Sequence, residues 1–416
     1  MAVIGILGHG TVGSGVVEVL LKNGSGIEKK TGTVLTVKKI FDRKSFPDLP
    51  YRHLFTKDAG EVLDDPEIDI VVETMGGLEP AFSYTKWALE SGKFVVTSNK
   101  ELVAEYGPLL QKIAHQHHVE YFFEASVGGG IPIIRPLKQC LAANNIYEIT
   151  GILNGTTNFI LTEMCKNGKD FESALFDAQA RGYAERDPSA DICGFDAQRK
   201  IAILSSIAFG QKVLYTDINT EGISGITKED MLSAEELGYV IKLVAHAART
   251  EDGIYAMVSP IMLPLGHPLA DVEDVFNAVL VKGDAIGDVM FYGKGAGKYP
   301  TASAVIGDII EAANYQPNSS GNAIMPDEVS ATVLDSDQFA HKFFLRLKLK
   351  DAKGFEKEIA TCMQDAKVHI FKNPLLAGEA GVFTGARKES ELPLIRDTLA
   401  SLDNTAAVLN VFKVSE

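Results

Sequence analysis

The chain has 416 residues, of which 46% are hydrophobic and 23% charged, and its formal net charge is −15. A chain of this length is expected to form two or three domains, each with a sizeable core. The acidic balance excludes nucleic acid and anionic membrane surfaces as main partners, because both require a basic face.

The opening MAVIGILGHG has no cationic lead and runs straight into a Gly-rich turn, unlike a secretory signal. No apolar run reaches the roughly 18 residues of a spanning helix. Cys140, Cys165, Cys193 and Cys362 are scattered and form no CxxC pair. They read as reduced thiols of a cytoplasmic protein, without metal-site spacing. In AVIGILGHGTVGSGVVEVLL a short apolar strand closes on Gly8, Gly10 and Gly13, and a helical pattern follows. That context gives GxGxxG a mechanism: a tight turn, close backbone approach to a pyrophosphate, and helix packed on strand. The helix N-terminus then offers free N–H groups to phosphate. The next strand, LTVKKIFDR, ends at Asp42-Arg43, after a polar segment NGSGIEKKTG that reads as a flexible insertion. Asp42 suits the ribose hydroxyls of NAD, whereas Arg43 and Lys44 suit the 2′-phosphate of NADP, so both cofactors stay open.

DIVVETMGG, FVVTSNKELVA and VEYFFEASVGGGIP repeat the order strand, polar turn, helix, the pattern of a doubly wound α/β fold. Thr74, Thr97, Ser98, Asn99 and Lys100 fall at strand carboxyl ends, where such sheets bind ligands; Lys100 reads equally well as a surface lysine. HQHH at 115–118 lacks a third ligand and reads as an exposed helix end. In EASVGGG, Glu124 and the turn after it can present oxygens to a hard cation or simply link domains.

After Pro136 the chain changes character. YEITGILNGTTNFILTEM pairs a strand-like run with a turn at Asn154-Gly155-Thr156-Thr157. GYAERDPSADICGFDAQRK gathers Glu185, Asp187, Asp191 and Asp196 just ahead of Arg199-Lys200. It is either a solvated turn or a site that holds an amino group and moves a proton. If GFDAQRK is helical, Asp196 and Lys200 share a face. YGKGAGKYP is a second glycine cluster ahead of a helix; His267 reads as part of an ordered turn, and Trp87 and FFLRLKLK as core or sheet. The last seventy-five or so residues give a βαββαβ order, that of a small ferredoxin-like module.

TSNKELVA, EASVGGGIPIIRPL, GILNGTTNFILTEM, GYAERDPSADICGFDAQRK, HPLADVEDVFNAV and YGKGAGKYPTASAV occur in this order. Together they resemble the homoserine dehydrogenases, from about residue 2 to 312. The resemblance implies NAD(P)-dependent interconversion of L-aspartate 4-semialdehyde and L-homoserine, in threonine and methionine biosynthesis. It also implies a Rossmann-type α/β nucleotide domain over 1–135 completed by 298–325, a central α+β catalytic and dimerisation domain over 136–297, and a C-terminal ferredoxin-like ACT domain over 340–416.

By the same resemblance Glu185, Asp191 and Asp196 hold the substrate, Lys200 is the proton donor in the reducing direction, and Lys100 lies by the nicotinamide and the substrate. A nearby cation such as Lys100 lowers a lysine pKa, while Asp196 opposes that. Gly8, Gly10, Thr11, Val12, Gly13, Asp42, Arg43, Thr74, Ser98, Lys100, Gly182 and Gly297 become cofactor contacts. A sodium ion is implied at the Glu124 side chain and the carbonyls of Val127, Gly129 and Ile131. A homodimer or homotetramer is expected, with the GILNGTTNFI strand extending a sheet across a two-fold. Lys294 stands where the family pattern has proline, and Lys353-Gly354 where an ACT turn has Pro-Gly. The tail thus reads either as a threonine-binding module or as a structural, dimer-forming one. Two other readings are a related dehydrogenase with another small substrate and a catalytically dead sensor of dinucleotide and amino acid. The presence of Asp196 and Lys200 speaks against the sensor.

Overall fold

The computed structural model describes residues 1–315 and 330–415, and the chain divides into two units. The first holds Met1–Ile149, Arg199–Tyr215 and Ala278–Ala331, and the second holds Thr150–Gln198, Thr216–Asn277 and Thr332–Glu416.

The first unit begins with β1 (Ala2–Leu7), α1 (Thr11–Thr31), β2 (Leu35–Phe41), β3 (Phe55–Thr56), α2 (Gly60–Leu63) and β4 (Ile70–Glu73), then α3 (Ala81–Glu90), β5 (Phe94–Thr97), α4 (Lys100–Gln116) and β6 (Tyr121–Phe122). Its six strands are parallel, in the order β3-β2-β1-β4-β5-β6. This is the doubly wound order, reversing between β1 and β4, where such sheets bind dinucleotides. Strands such as IVVE, apolar up to Glu73 and buried throughout, fit a sheet covered on both faces.

Two expectations change here. NGSGIEKKT is not a flexible insertion but the second half of α1, which ends at left-handed Gly32. Val16, Val17 and Leu20 are buried and Ile27 packs against the same core, so the apolar stripe outlasts the glycines and tertiary packing overrides their low helix propensity. Trp87 is not core: on α3 it is 38% exposed, and its Nε1 donates to Asp64 Oδ1 at 3.0 Å. HQHH does end α4, with His117 as its C-cap.

Next come β7 (Ile146–Ile152), α5 (Gly155–Asn167), α6 (Phe171–Ala180), α7 (Ser189–Ile192), α8 (Phe195–Phe209), β8 (Asn219–Thr220), α9 (Lys228–Glu236), β9 (Tyr239–Arg249) and β10 (Ile254–Pro264). The expected GILNGTTNFI strand stops at Ile152. Asn154 caps a helix by accepting from the Thr157 N–H at 2.8 Å, so TTNFI is helical and cannot extend a sheet. His267 does sit in a turn, its N–H bonded to the Pro264 carbonyl at 2.8 Å.

β11 (Phe276–Gly283) and β12 (Gly287–Lys294) precede α10 (Lys298–Ala313). In the first unit α10 buries Ala302, Val305, Ile306 and Ile309 in one core with α1 and the parallel sheet. This is the segment expected to complete the nucleotide domain; its last part, 316–325, lies outside the described residues.

The remainder is β13 (Ala340–Leu349), α11 (Phe355–Cys362), β14 (Lys367–Ile370), β15 (Glu379–Lys388), α12 (Leu392–Ala400) and β16 (Thr405–Val414), the βαββαβ order. In the second unit the strands run β9-β10-β16-β13-β15-β14 in a mixed sheet, with β8 also paired to β10. FFLRLKL is indeed a buried strand over its own apolar cluster. The module is joined to the rest of its unit: β16 pairs with β10 in parallel, and buried Arg346 bonds both Asp230, at 2.8 Å, and Glu379, at 2.7 Å.

Candidate active site

In the first unit the glycine turn is built as its sequence demands. A Cβ on Gly13 would lie 2.1 Å from the Gly8 carbonyl oxygen and 2.8 Å from Thr74 Oγ1, so only glycine lets α1 start there. Gly10 is the N-cap, and its side-chain position faces open space. Thr11 and Val12 open the helix, whose first N–H groups have no partner within it. The Thr74 hydroxyl donates to the Gly8 carbonyl at 2.9 Å, so it shapes the turn. Gly297, the N-cap of α10, lies near α1: a Cβ on Gly15 would meet the Lys298 carbonyl at 2.8 Å.

Asp42 faces inward. Its Oδ2 accepts the His9 N–H at 2.7 Å, and its Oδ1 accepts the Lys44 N–H at 2.7 Å. Arg43 and Lys44 are exposed beside it, and Lys57 joins them by donating to the Arg43 carbonyl at 2.6 Å and to that of Lys44. Lys57 has no sequence signal, because only the pairing of β2 with β3 brings it here. Burial, against the pull of Asp42, holds the His9 imidazole below its usual range.

Lys100 is positioned by a network that sequence reading missed. Buried Glu73 accepts the Thr97 hydroxyl at 2.6 Å and the Met75 N–H at 2.7 Å. Thr97 Oγ1 accepts the Asn99 N–H at 2.9 Å, and Asn99 caps α4 through the Leu102 N–H at 3.1 Å. Half-buried Ser98 and Lys100 therefore sit on a fixed strand-to-helix turn. Burial raises the Glu73 carboxyl above its ordinary value.

In the Glu124 turn the carboxylate is already engaged by main chain. It accepts three main-chain N–H groups, from Ile133 at 2.6 Å, Ile134 at 2.9 Å and Arg135 at 2.7 Å. The side chain therefore ties the loop together before it offers anything to a cation. Gly129 packs on the second glycine cluster, where a Cβ would lie 2.3 Å from the Gly295 carbonyl. Among the described residues no main-chain N–H donates to the carbonyls of Val127, Gly129 or Ile131.

In the second unit, Asn154 brings two of the expected carboxylates together. Its Nδ2 donates to Asp191 Oδ1 at 2.7 Å and to Asp196 Oδ2 at 2.8 Å. Side-by-side carboxylates with one bridging donor form a site for an ammonium ion. The signal for Asn154 was present, since Asn is a favoured N-cap residue. Gly182 closes the preceding helix in a left-handed conformation, and Glu185 is exposed, its own carbonyl accepting from Gln179 at 3.1 Å. α8 runs from the second unit into the first and carries Asp196, 2% exposed, and Lys200, 7% exposed, one turn apart along the helix. Burying an acid and a lysine on one helix is costly, which argues that the pair has work beyond solvation.

A dinucleotide turn, paired carboxylates and a buried lysine are the chemistry of an amino-acid dehydrogenase. Family models agree: residues 8–124 match the homoserine dehydrogenase NAD-binding domain, and 132–310 match homoserine dehydrogenase. The chain belongs to the homoserine dehydrogenase family. The Bacillus subtilis homoserine dehydrogenase is 37% identical over 99% of this chain and 98% of its own. That of Synechocystis is 44% identical over 84% of each. The Thiobacillus denitrificans homoserine dehydrogenase structure superposes with a TM-score of 0.90 at 38% identity, covering 100% of this chain and 98% of that one. A hyperthermophilic archaeal homoserine dehydrogenase solved with NADPH gives a TM-score of 0.65 at 31% identity, over 75% of this chain and 97% of that one. The chain is accordingly an oxidoreductase with an NAD(P)-binding domain, and the homoserine dehydrogenase reaction, interconverting L-aspartate 4-semialdehyde and L-homoserine, is its reaction. Among the described residues no helix is long and apolar enough to cross a membrane.

Proposed function

We propose that this homoserine dehydrogenase works through Lys200 as proton donor and acceptor, with Asp191, Asp196 and Glu185 holding the substrate ammonium. The observation that carries this reading is the Asn154 bridge between Asp191 and Asp196, with Lys200 one helical turn beyond. The bound nicotinamide supplies or accepts the hydride. As the carbonyl is reduced its oxygen gains charge, and Lys200 delivers the proton there; in oxidation Lys200 takes it back. Lys100, on its fixed turn, orients the reacting end.

The cofactor is NADP, held by Gly8, Gly10, Thr11, Val12 and Gly13, with Thr74, Ser98, Gly182 and Gly297 completing its surroundings. Support for NADP comes from Asp42, whose two oxygens face main-chain N–H groups, while Arg43, Lys44 and Lys57 stand exposed beside it for a 2′-phosphate. A monovalent cation, sodium by resemblance, takes the carbonyls of Val127, Gly129 and Ile131 on the loop that Glu124 closes. The enzyme acts in the cytoplasm, in threonine and methionine biosynthesis. It assembles as a homodimer, supported by β12, an edge strand with exposed Met290 and Tyr292. The three-part division at 135, 297 and 340 assigns the tail an ACT-like role with an amino-acid effector such as threonine, supported by its βαββαβ order.

Absorbance at 340 nm with homoserine and each cofactor tests the reading. NADP is expected to exceed NAD in kcat/KM by about tenfold or more, one charge-assisted contact's worth. Equal use of both, or preference for NAD, would return the role to Asp42.

A further inference from the structure

In the first unit, residues 42–54 between β2 and β3 belong to no strand and contain only a short 3₁₀ turn, Arg52–Leu54. Their own main-chain bonds are local, from the Leu49 N–H to Phe46, from Arg52 to Leu49 and from Leu54 to Tyr51, at 3.0 to 3.4 Å. Yet this stretch and Lys57 carry the three cations proposed for the 2′-phosphate. Its position has to come from side chains.

Three of its rings, Phe46, Tyr51 and Phe55, close around one side chain from outside the stretch, that of His9 in the glycine turn. Ring centroids lie 4.7 Å from His9 for Phe46, 4.9 Å for Phe55 and 5.8 Å for Tyr51, all edge to face. Phe46 and Phe55 pack on each other at 4.9 Å, and Tyr51 stacks on Phe55 at 6.1 Å. His9 is 7% exposed, and its Nε2 lies 3.2 Å from the Tyr51 hydroxyl. Its Nδ1 is buried with no hydrogen-bond partner among the described residues. A buried polar atom left unpaired is unfavourable, so ring packing and the Tyr51 bond are what keep the imidazole in place.

The His9 main chain reaches the same stretch. Its N–H donates to Asp42 Oδ2 at 2.7 Å, Asp42 Oδ1 accepts the Lys44 N–H at 2.7 Å, and Lys57 bonds the carbonyls of Arg43 and Lys44. One residue between Gly8 and Gly10 thus joins the turn for the pyrophosphate to the loop that bears the cations. In NADP the pyrophosphate and the 2′-phosphate hang on one ribose, so their two sites must keep a fixed spacing. A loop without a brace would have to be ordered at each binding event, which lowers affinity.

We infer that His9 is a specificity-determining residue for NADP: its ring braces residues 43–57 against the glycine turn and so presents Arg43, Lys44 and Lys57 to the 2′-phosphate. It is a positioning residue, acting through the loop and not on the reacting atoms. The inference rests on the NADP reading, and the test separates the two.

The test is calorimetric titration of the full chain with adenosine 2′,5′-bisphosphate and with 5′-AMP, which differ only in the 2′-phosphate. The parent protein is expected to bind the bisphosphate about tenfold or more tightly than 5′-AMP. His9→Ala is expected to bring that ratio down by about tenfold, with the Kd of 5′-AMP within about twofold of the parent's. His9→Phe refills the ring box and is expected to hold the ratio within about threefold of the parent's, which keeps the test decisive if His9→Ala folds poorly. A parent ratio preserved in His9→Ala would show that the loop needs no brace and would overturn the inference alone. Equal loss for both ligands would make the ring a support of the pyrophosphate turn and overturn its specificity role. A ratio as low in His9→Phe as in His9→Ala would overturn packing as the cause. A parent that binds both ligands equally would reject the NADP reading and the role of His9 with it.

Discussion

Asn154 does two things at once: its carbonyl oxygen caps α5 through the Thr157 N–H, and its amide holds Asp191 and Asp196 in register. Asn154→Ala is expected to lose about 1 kcal/mol of cap energy in urea unfolding. It is also expected to raise homoserine KM by an order of magnitude or more, since two carboxylates without their shared donor repel. An unchanged KM alongside the stability loss would reduce Asn154 to a cap. A second residue-scale effect concerns pH. Burial, with Lys413 and His246 adding to it and Glu389 opposing, brings His341 down from 6.5 to about 4. The Tyr255 hydroxyl, itself pushed up by burial, lies 2.6 Å from Nε2 and keeps its proton to donate there. The folded state therefore favours neutral His341. The stability this provides is present above 6.5 and is lost as pH falls towards about 4. His341→Asn should flatten the fall of Tm across that window, whereas parallel curves for the two proteins would show that His341 contributes nothing to it.

At the scale of elements, α10 is held to the Glu124 loop by buried charge. Asp308 accepts the Glu124 N–H at 2.9 Å and the Arg135 guanidinium at 2.8 Å, and Arg135 also pairs with Glu311 at 2.5 Å. Burial, reinforced by Glu124 and opposed by Arg135, raises the Asp308 carboxyl well above its ordinary value. Asp308→Ala leaves the buried Glu124 N–H without this acceptor and the half-buried Arg135 guanidinium with Glu311 alone, and should cost about 3 kcal/mol by urea unfolding. A loss under about 1 kcal/mol would mean that the apolar contacts of α10 suffice. None of this partnership was legible in the sequence, because residues 124, 135 and 308 meet only in the folded chain. The glycine turn and the parallel strands were legible, since each follows from local backbone needs and apolar periodicity. The second half of α1 was misread because its glycines outweighed a stripe whose partner, α10, lies nearly three hundred residues away. TTNFI was misread as strand because β-branched residues outvoted the Asn cap.

For the molecule as a whole, the order of motifs along the chain identified the chemistry before any geometry, and the structure added what holds it in place: Asn154 for the carboxylates, the Glu73–Thr97–Asn99 network for Lys100, and three main-chain donors for Glu124. The joining of the C-terminal module through β16 and Arg346 was invisible in sequence for the same reason as Asp308. The central claim is that Lys200 moves the proton. It is tested most directly by homoserine-dependent NADP reduction at 340 nm in Lys200→Ala, with cofactor binding followed by fluorescence in parallel. Turnover is expected to fall by about 100-fold or more with cofactor affinity unchanged. Turnover within a few-fold of the parent enzyme would contradict the claim and place the proton on another group.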